Sequence, residues 1–336
     1  MTFSVPAHER LELYLGTQGE IIEQLTPDAS TREYFRVQRG EQVLIACVYP
    51  EQFDAAAPQI DITRLFIAGG LPVARIEEFD GEAGIVLHED FGDLILRTVL
   101  TETKKKDEYL SEAIRLISVI QAATSLAFES NSIASRLKFD VEKLTWELAF
   151  FKEHYFSSLG GRGIEPSFSN ALDADFLALS IDLQERANVL THRDFHAANL
   201  MVQDNKLKII DHQDARIGTA TYDLVSLLLD RIETVPTENE LSKWKSVLNH
   251  FRNSANLDPV ADFETDFALT SIQRCLKAIG TFSNQTAVRG KKGYLGYIAP
   301  MFAVVASTCR DLGRFEAIGL MAENESKHSW ADHPSY

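Results

Sequence analysis

The sequence predicts an α+β chain of two lobes: an antiparallel five-stranded sheet with one helix at residues 1–90, then a mainly helical lobe at 91–336. Three observations predict it. Short runs rich in β-branched and aromatic residues, separated by Gly and Asp turns, fill the first part of the chain. After the charged stretch Thr101 to Asp107 the apolar residues recur every three or four positions instead. Near residue 200 two short apolar runs flank a turn and hold acidic, amide and imidazole side chains at fixed spacing.

Taken in order, Leu11, Tyr14 and Leu15 predict a short helix between Pro6 and Gly16. Ile21 to Leu25 and Tyr34 to Val37 read as strands on either side of a polar turn, Thr26 to Arg32. After Arg39-Gly40, the run Val43 to Val48 is apolar enough for a central strand. Ile60, Leu65 and Ile67 predict a helix from about Ala55 to Ala68, stopped by Gly69-Gly70. Strands near Ala74 to Phe79 and Gly84 to Leu87 complete the order β-β-β-α-β-β. In the second lobe Leu110, Ile114, Ile117, Ile120 and Ala123 form one apolar stripe, read as core. Further helices are expected at about Asp140 to Phe156 and Ala174 to Arg186, with a Gly- and Ser-rich loop from Ser157 to Ser169 between them.

The run Leu190-Thr191-His192-Arg193-Asp194-Phe195-His196-Ala197-Ala198-Asn199 carries the chemistry. It follows the order H-R-D-x-x-x-x-N, in which Asp accepts the proton of an attacking hydroxyl and Asn holds a magnesium ion. Leu200 to Val202 and Leu207 to Ile210 flank the turn Asp204-Asn205, so a hairpin brings Asn199 beside a second acid, Asp211. Phosphoryl transfer needs a metal across the phosphates and a hydroxyl aimed at phosphorus, so one carboxylate must stay metal-free. Asp194 fills that role, and Asn199 and Asp211 supply hard oxygen ligands to Mg²⁺. With the strand order upstream this makes a protein-kinase-like fold, and His88-Glu89-Asp90-Phe91-Gly92-Asp93 becomes the hinge past the adenine of ATP, with Glu89 at its start. The rival reading is a metal-dependent hydrolase with His192, His196, Asp211 and His212 as ligands, which leaves Asn199 without a role.

Composition narrows the partners. A 45% apolar share is that of a globular chain, and a net charge of −16 without a Lys/Arg cluster argues against a nucleic-acid partner. Three widely spaced cysteines with no C-x-x-C pair suggest reduced thiols in a cytoplasmic protein. The N-terminus lacks a signal pattern, and no apolar run reaches about 18 residues, so no membrane is expected.

The chain resembles the aminoglycoside phosphotransferase and choline kinase superfamily, and within it the bacterial anomeric kinases of cell-wall amino sugars. Four blocks carry the resemblance: Asp28 to Arg36, Glu89 to Asp93, the catalytic run through Tyr222-Asp223-Leu224, and Gln273 to Phe282. It implies transfer of the γ-phosphoryl group of ATP to the C1 hydroxyl of N-acetylmuramate or N-acetylglucosamine, with Asp194 as base, Asn199 and Asp211 on Mg²⁺, and Asp223 as a structural acid bracing the catalytic loop. Gln213 and Asp214 follow the metal acid closely enough to line the acceptor pocket. The strand Val43 to Val48 has no lysine for the phosphates, and the first lysine of the chain is Lys104. Ser30 and Arg32, in the loop where a Gly-rich turn would sit, are expected to meet phosphate, with Arg36 on the same strand face as fallback. Arg274 and Lys277, three apart on a helix, form either a solvated face or a pair meeting a carboxylate or phosphate of the sugar. The alternatives are choline, with Trp146, Phe150 and Tyr155 as cage candidates, an aminoglycoside, or a kinase fold kept as a binding module.

Overall fold

Alternation along two strands builds the core of the N-terminal sheet. Strand β2 (Glu33–Arg39) buries Phe35 and Val37, and β3 (Gln42–Val48) buries Leu44, Ala46 and Val48 on the same side. Cys47, on the other face of β3, is buried too, as a central strand requires. With β1 (Gly19–Leu25), β4 (Ile76–Asp80) and β5 (Ile85–Glu89) they form one antiparallel sheet in the order β1-β2-β3-β5-β4. Helix α1 (Ala7–Leu15) lays Ala7, Leu11 and Leu15 onto Phe35, Leu44 and Leu87. Helix α2 (Pro58–Ala68), opened by Pro58 at its first turn, buries Ile60, Ile62, Leu65 and Phe66. The structure, a computed structural model, describes residues 3–25, 32–102 and 104–328.

Helix α3 (Leu96–Glu102) buries Leu96 alone, and so short a helix with one anchor leaves no periodic signal in the sequence. Helix α4 (Lys106–Ala122) buries Leu110, Ile114, Ile117 and Ile120 as the stripe predicts, followed by α5 (Thr124–Glu129) and α6 (Ile133–Arg136). By length and composition the stretch Lys106–Glu129 is long and apolar enough to cross a membrane, which corrects the expectation that no run reaches that length; 56% of its most apolar window is buried inside the protein, as in a core helix. Helix α7 (Val141–Lys152) runs on as a π-helix, Glu153–Leu159, and α8 (Pro166–Arg186) starts eight residues before the expected Ala174. Pro166 in its first turn and the Glu165 carboxylate, which accepts from the Phe168 N–H, start a helix inside what composition reads as loop.

Strands β6 (Val189–Thr191) and β9 (Arg216–Gly218) pair antiparallel, as do β7 (Leu200–Gln203) and β8 (Lys206–Ile209). Asp204 and Asn205, with φ of 51° and 59°, make the two-residue turn between β7 and β8. Helices α9 (Tyr222–Leu229), α10 (Glu238–Ser254), α11 (Phe263–Ala287), α12 (Ile298–Leu312) and α13 (Glu316–Glu325) follow, with a 3₁₀ turn at Lys292–Tyr297.

The chain divides into two compact units, one comprising Met1–Tyr109, Ser125–Ile133 and Ala197–Asp214, the other Leu110–Thr124, Ala134–His196 and Ala215–Tyr336. The β7–β8 hairpin is tied into the first unit by Ile209 N–H donating to Pro72 O at 2.9 Å and Val202 N–H to Leu94 O at 2.8 Å. Met201 packs there with Ala74 and Phe91. In the second unit α11 is buried along most of its length. Cys47, Cys275 and Cys309 are free and buried, and burial pushes their thiols up to about 11, 12 and 12.

Candidate active site

In the second unit, β6 delivers the catalytic run. Its pairing with β9 ends at Thr191, and the chain then turns sharply, with Arg193 at φ 83°, a conformation costly for a residue with a side chain. Asp223, fully buried in the first turn of α9, offsets that strain by accepting the N–H groups of His192 at 2.8 Å and Arg193 at 3.1 Å. It is therefore both a helix N-terminal acid and the brace of the loop. Burial pushes its carboxyl up to about 7 against the opposing pull of those N–H groups and of Arg274. His192 is fully buried with its ring edge-on to Phe195 at 5.6 Å, so it orients the loop.

Asp194 sits among cations. Lys277 Nζ donates to its Oδ1 at 2.7 Å, Arg274 Nη1 lies 3.6 Å from the same oxygen, and Arg193 Nε lies 3.9 Å from Oδ2. Burial acts to raise the Asp194 carboxyl, but Lys277, Arg193 and Arg274 outweigh it and hold the group well below the usual carboxylate range. Arg274 and Lys277 are thus not a solvated face: Arg274 is buried, and its partner meets the acid that the motif singles out. Glu147 on α7, buried, was not legible as a site residue. It lies 3.6 Å from Arg193 Nη2 and accepts from Gln273 Nε2 at 2.8 Å, closing the charge cluster. A buried acid between Leu144, Leu148 and Phe151 is the one trace it leaves in the sequence. Of the cage candidates, Tyr155 is core, donating to Glu325 at 2.6 Å, while Trp146 is exposed with its ring tilted against Phe150 at 5.7 Å.

In the first unit the hairpin brings together the two residues expected to hold the metal. Leu200 pairs with Ile209, and Ile210 N–H donates to Asn199 O at 3.1 Å, so Asn199 and Asp211 flank one end of the β7–β8 ladder. Asp211 is held at φ 61°. Its Oδ1 accepts from Arg32 Nη2 at 2.9 Å and from Gln213 Nε2 at 3.0 Å. A neutral amide oxygen and a carboxylate are the hard donors Mg²⁺ takes, with phosphate and water completing its shell. Among the described residues no group of three or more His, Cys, Asp or Glu is placed to hold a metal ion. His212 instead meets Thr63 Oγ1 at 2.7 Å through Nε2 and stacks on Phe66.

Arg32 reaches Asp211 from the start of β2, its guanidinium 5.7 Å from the Tyr34 ring and 5.8 Å from the Tyr49 ring. Ser30 lies outside the described residues. Arg36 is not available for phosphate: it donates to Asp90 at 2.7 Å and Asp93 at 2.7 Å, and pairs with Glu23. Asp90 also accepts the Gly92 N–H at 2.8 Å, so Arg36 sets the turn after β5. Glu89 uses its N–H on Arg75 O at 3.0 Å and its carboxylate lies 3.6 Å from Arg75 Nε. Asp214 is half-buried two residues beyond His212.

A family model described as phosphotransferase enzyme family matches residues 21–244. The N-acetylmuramate/N-acetylglucosamine kinase of Pseudomonas aeruginosa is 29% identical over 282 residues, covering 82% of this chain and 80% of its own length. The proteins of the same name from Neisseria meningitidis and Caulobacter vibrioides are 26% and 27% identical, covering 80% and 85% of this chain and 79% and 87% of their own. Among solved structures, choline kinase LicA from Streptococcus pneumoniae aligns with a TM-score of 0.56 at 13% identity over 90% of this chain and 99% of its own. The gentamicin complex of APH(2")-IIa aligns with a TM-score of 0.57 at 12% identity over 94% and 99%. These two establish the protein-kinase-like phosphotransferase fold, and the family model spans both the N-terminal sheet and the catalytic run. The chain belongs to the phosphotransferase enzyme family.

Proposed function

We propose that the protein transfers the γ-phosphoryl group of ATP to the anomeric C1 hydroxyl of N-acetylmuramate or N-acetylglucosamine, in the cytoplasm, as a step in reuse of cell-wall amino sugars. The observation that carries this is the name shared by relatives matched over most of both chains. The O1–phosphorus bond forms as the bond from phosphorus to the β-phosphate oxygen breaks, ADP leaves, and the O1 proton passes to Asp194. Asn199 and Asp211 would hold Mg²⁺, which neutralises phosphate charge when bound. Arg32 takes the place of the absent third-strand lysine on the phosphates, with Ser30 in the same loop and Glu89 at the hinge. Gln213 and Asp214 line the acceptor pocket, and Arg274 and Lys277 serve the acceptor side.

The test is Mg²⁺-dependent ADP release with ATP and N-acetylmuramate, N-acetylglucosamine, glucosamine, choline or kanamycin, with Asp194→Asn as the blank. Turnover on the N-acetylated sugars that disappears when C1 is blocked, and falls by about 10²- to 10⁴-fold in the blank, is the expected result. Turnover on choline or kanamycin alone would refute the acceptor, and an undiminished blank would refute the base.

A further inference from the structure

The charge cluster around Asp194 carries an inference that rests on Asp194 being the proton acceptor of the proposed reaction. From α11, Lys277 and Arg274 both address Oδ1; from the catalytic loop itself Arg193 approaches Oδ2. Among the described residues the ionisable groups around this cluster include Glu147 on α7, 3.6 Å from Arg193, Tyr222 and Asp223 on α9, the tyrosine hydroxyl accepting from Arg274 at 3.4 Å, and Asp230 just past α9, whose charge also acts on Arg274. A cation in contact with the base stands next to the reacting oxygen. The lactyl carboxylate of N-acetylmuramate hangs from C3, two ring carbons away from C1. Lys277 therefore acts on the reacting end of the acceptor rather than on that carboxylate.

We propose that Lys277 is a positioning residue for the general base: clamped to Oδ1 of Asp194 from α11, it fixes the carboxylate's aim and, with Arg274 and Arg193, its charge, which suits the site to the acidic hydroxyl of a hemiacetal. The ring oxygen withdraws electrons from C1, so a C1 hydroxyl gives up its proton more readily than an ordinary alcohol. A carboxylate held ionised by three cations is a weak base, matched to such a proton and ill-matched to a primary alcohol. In a loose phosphoryl transition state the nucleophile carries little charge until late, so a weak, well-aimed base suffices. The proton that moves is that of O1; Lys277 takes no part in the transfer, and burial and the nearby Arg274 draw its ammonium below the usual lysine value while Asp194 opposes them.

The test compares wild type with Lys277→Met and Lys277→Arg. In Lys277→Met the acid limb of kcat/KM moves to higher pH by about one unit, because Asp194 loses its nearest cation, and kcat falls by about 10- to 100-fold with Mg²⁺–ADP affinity unchanged. Lys277→Arg, which keeps the charge, restores the limb. A readout independent of turnover is the titration of ¹³C-labelled aspartate carboxyls followed by NMR, with Asp194 assigned through Asp194→Asn: its midpoint moves up in Lys277→Met by the same step. A pH-independent loss of rate with an unmoved midpoint would overturn the proposal and leave Lys277 a structural cation. If wild type turns over none of the sugars, the acceptor reading fails, and the NMR comparison still decides whether Lys277 sets the charge of Asp194. If Lys277→Met does not fold, Lys277→Gln replaces it under the same criteria.

Discussion

Replacing Gly280 by alanine sets two opposed effects against each other in the helix that carries Arg274 and Lys277. Alanine is favoured over glycine inside a helix by about 0.8–1.0 kcal/mol, so propensity alone predicts a more stable protein. Packing predicts the reverse. A Cβ at position 280 would lie 2.6 Å from Phe151 Cα and 3.1 Å from its N and Cβ, where carbon atoms prefer about 3.5–4.0 Å. The obstruction is backbone and cannot rotate away. Phe151 is itself fully buried, with Tyr155, Phe302 and Phe176 rings 5.7, 6.0 and 6.3 Å from its own, so α7 has no room to retreat. Overpacking of this kind costs about 1–3 kcal/mol, and the backbone contact puts Gly280 at the upper end. Net of propensity, Gly280→Ala is expected to lose about 1–2 kcal/mol. Urea unfolding reads this as a lower midpoint at unchanged slope, with Gly293→Ala, whose Cβ meets nothing within 4 Å, as the neutral control. Lys277 lies one turn before Gly280, so activity should fall further than stability. A Gly280→Ala protein as stable as wild type would refute the close-packing argument.

Asp211→Ala removes the proposed anionic metal ligand, and calorimetry should show ADP binding that no longer depends on Mg²⁺; unchanged Mg²⁺ dependence would refute the assignment. Arg32→Ala should weaken ADP binding about 10- to 100-fold, the equivalent of one lost charge-assisted contact, while adenosine affinity stays level. Equal losses for both ligands would place Arg32 away from the phosphates. Asp223 has a raised folded value, about 7 against 3.8, so the native protein keeps a proton there that the unfolded chain has released. Its contribution is full below about pH 4 and is lost as pH rises to about 7, by up to about 1.4 kcal/mol per unit. Wild type should therefore lose its stability advantage over Asp223→Asn between about pH 4 and pH 7 by urea midpoint, whereas parallel pH curves would refute the shift.

Much of the fold was legible because it depends on local pattern. The β7–β8 hairpin follows from two apolar runs and Asp204-Asn205, and the β-β-β-α-β-β order of elements along the chain from strand composition and turns. The errors fall where a local cue is weak or misleading. Composition made a loop of the first turns of α8, where a proline and one capping carboxylate decide otherwise. In the candidate site, Asp194, Asn199 and Asp211 could be proposed from sequence because the chemistry they are assigned would fix their spacing along one short run. Glu147, 47 residues before Asp194 in the chain, and the direction of Lys277 are set by how α7 and α11 pack against each other, which no spacing encodes.

Asp211 sits at φ 61°, and β3 carries no lysine. A non-glycine residue persists in that region only when its surroundings over-determine it. Three contacts from three places do so: Arg32 and Gln213 hold Asp211 Oδ1, and the neighbouring His212 is fixed to α2 by Thr63 and Phe66. Thr63 Oγ1 also donates to Gln59 O at 2.7 Å within α2, which ties His212 into the helix's own backbone network. Arg32 is itself held between Tyr34 on β2 and Tyr49 just past β3. The cation proposed in place of that lysine thus stands just before β2 on an aromatic seat, already in contact with the carboxylate proposed for the metal. Moving it back to β3 as a lysine would place a flexible point charge where the planar fork now meets Asp211, and the positive φ would lose one of the contacts that sustain it.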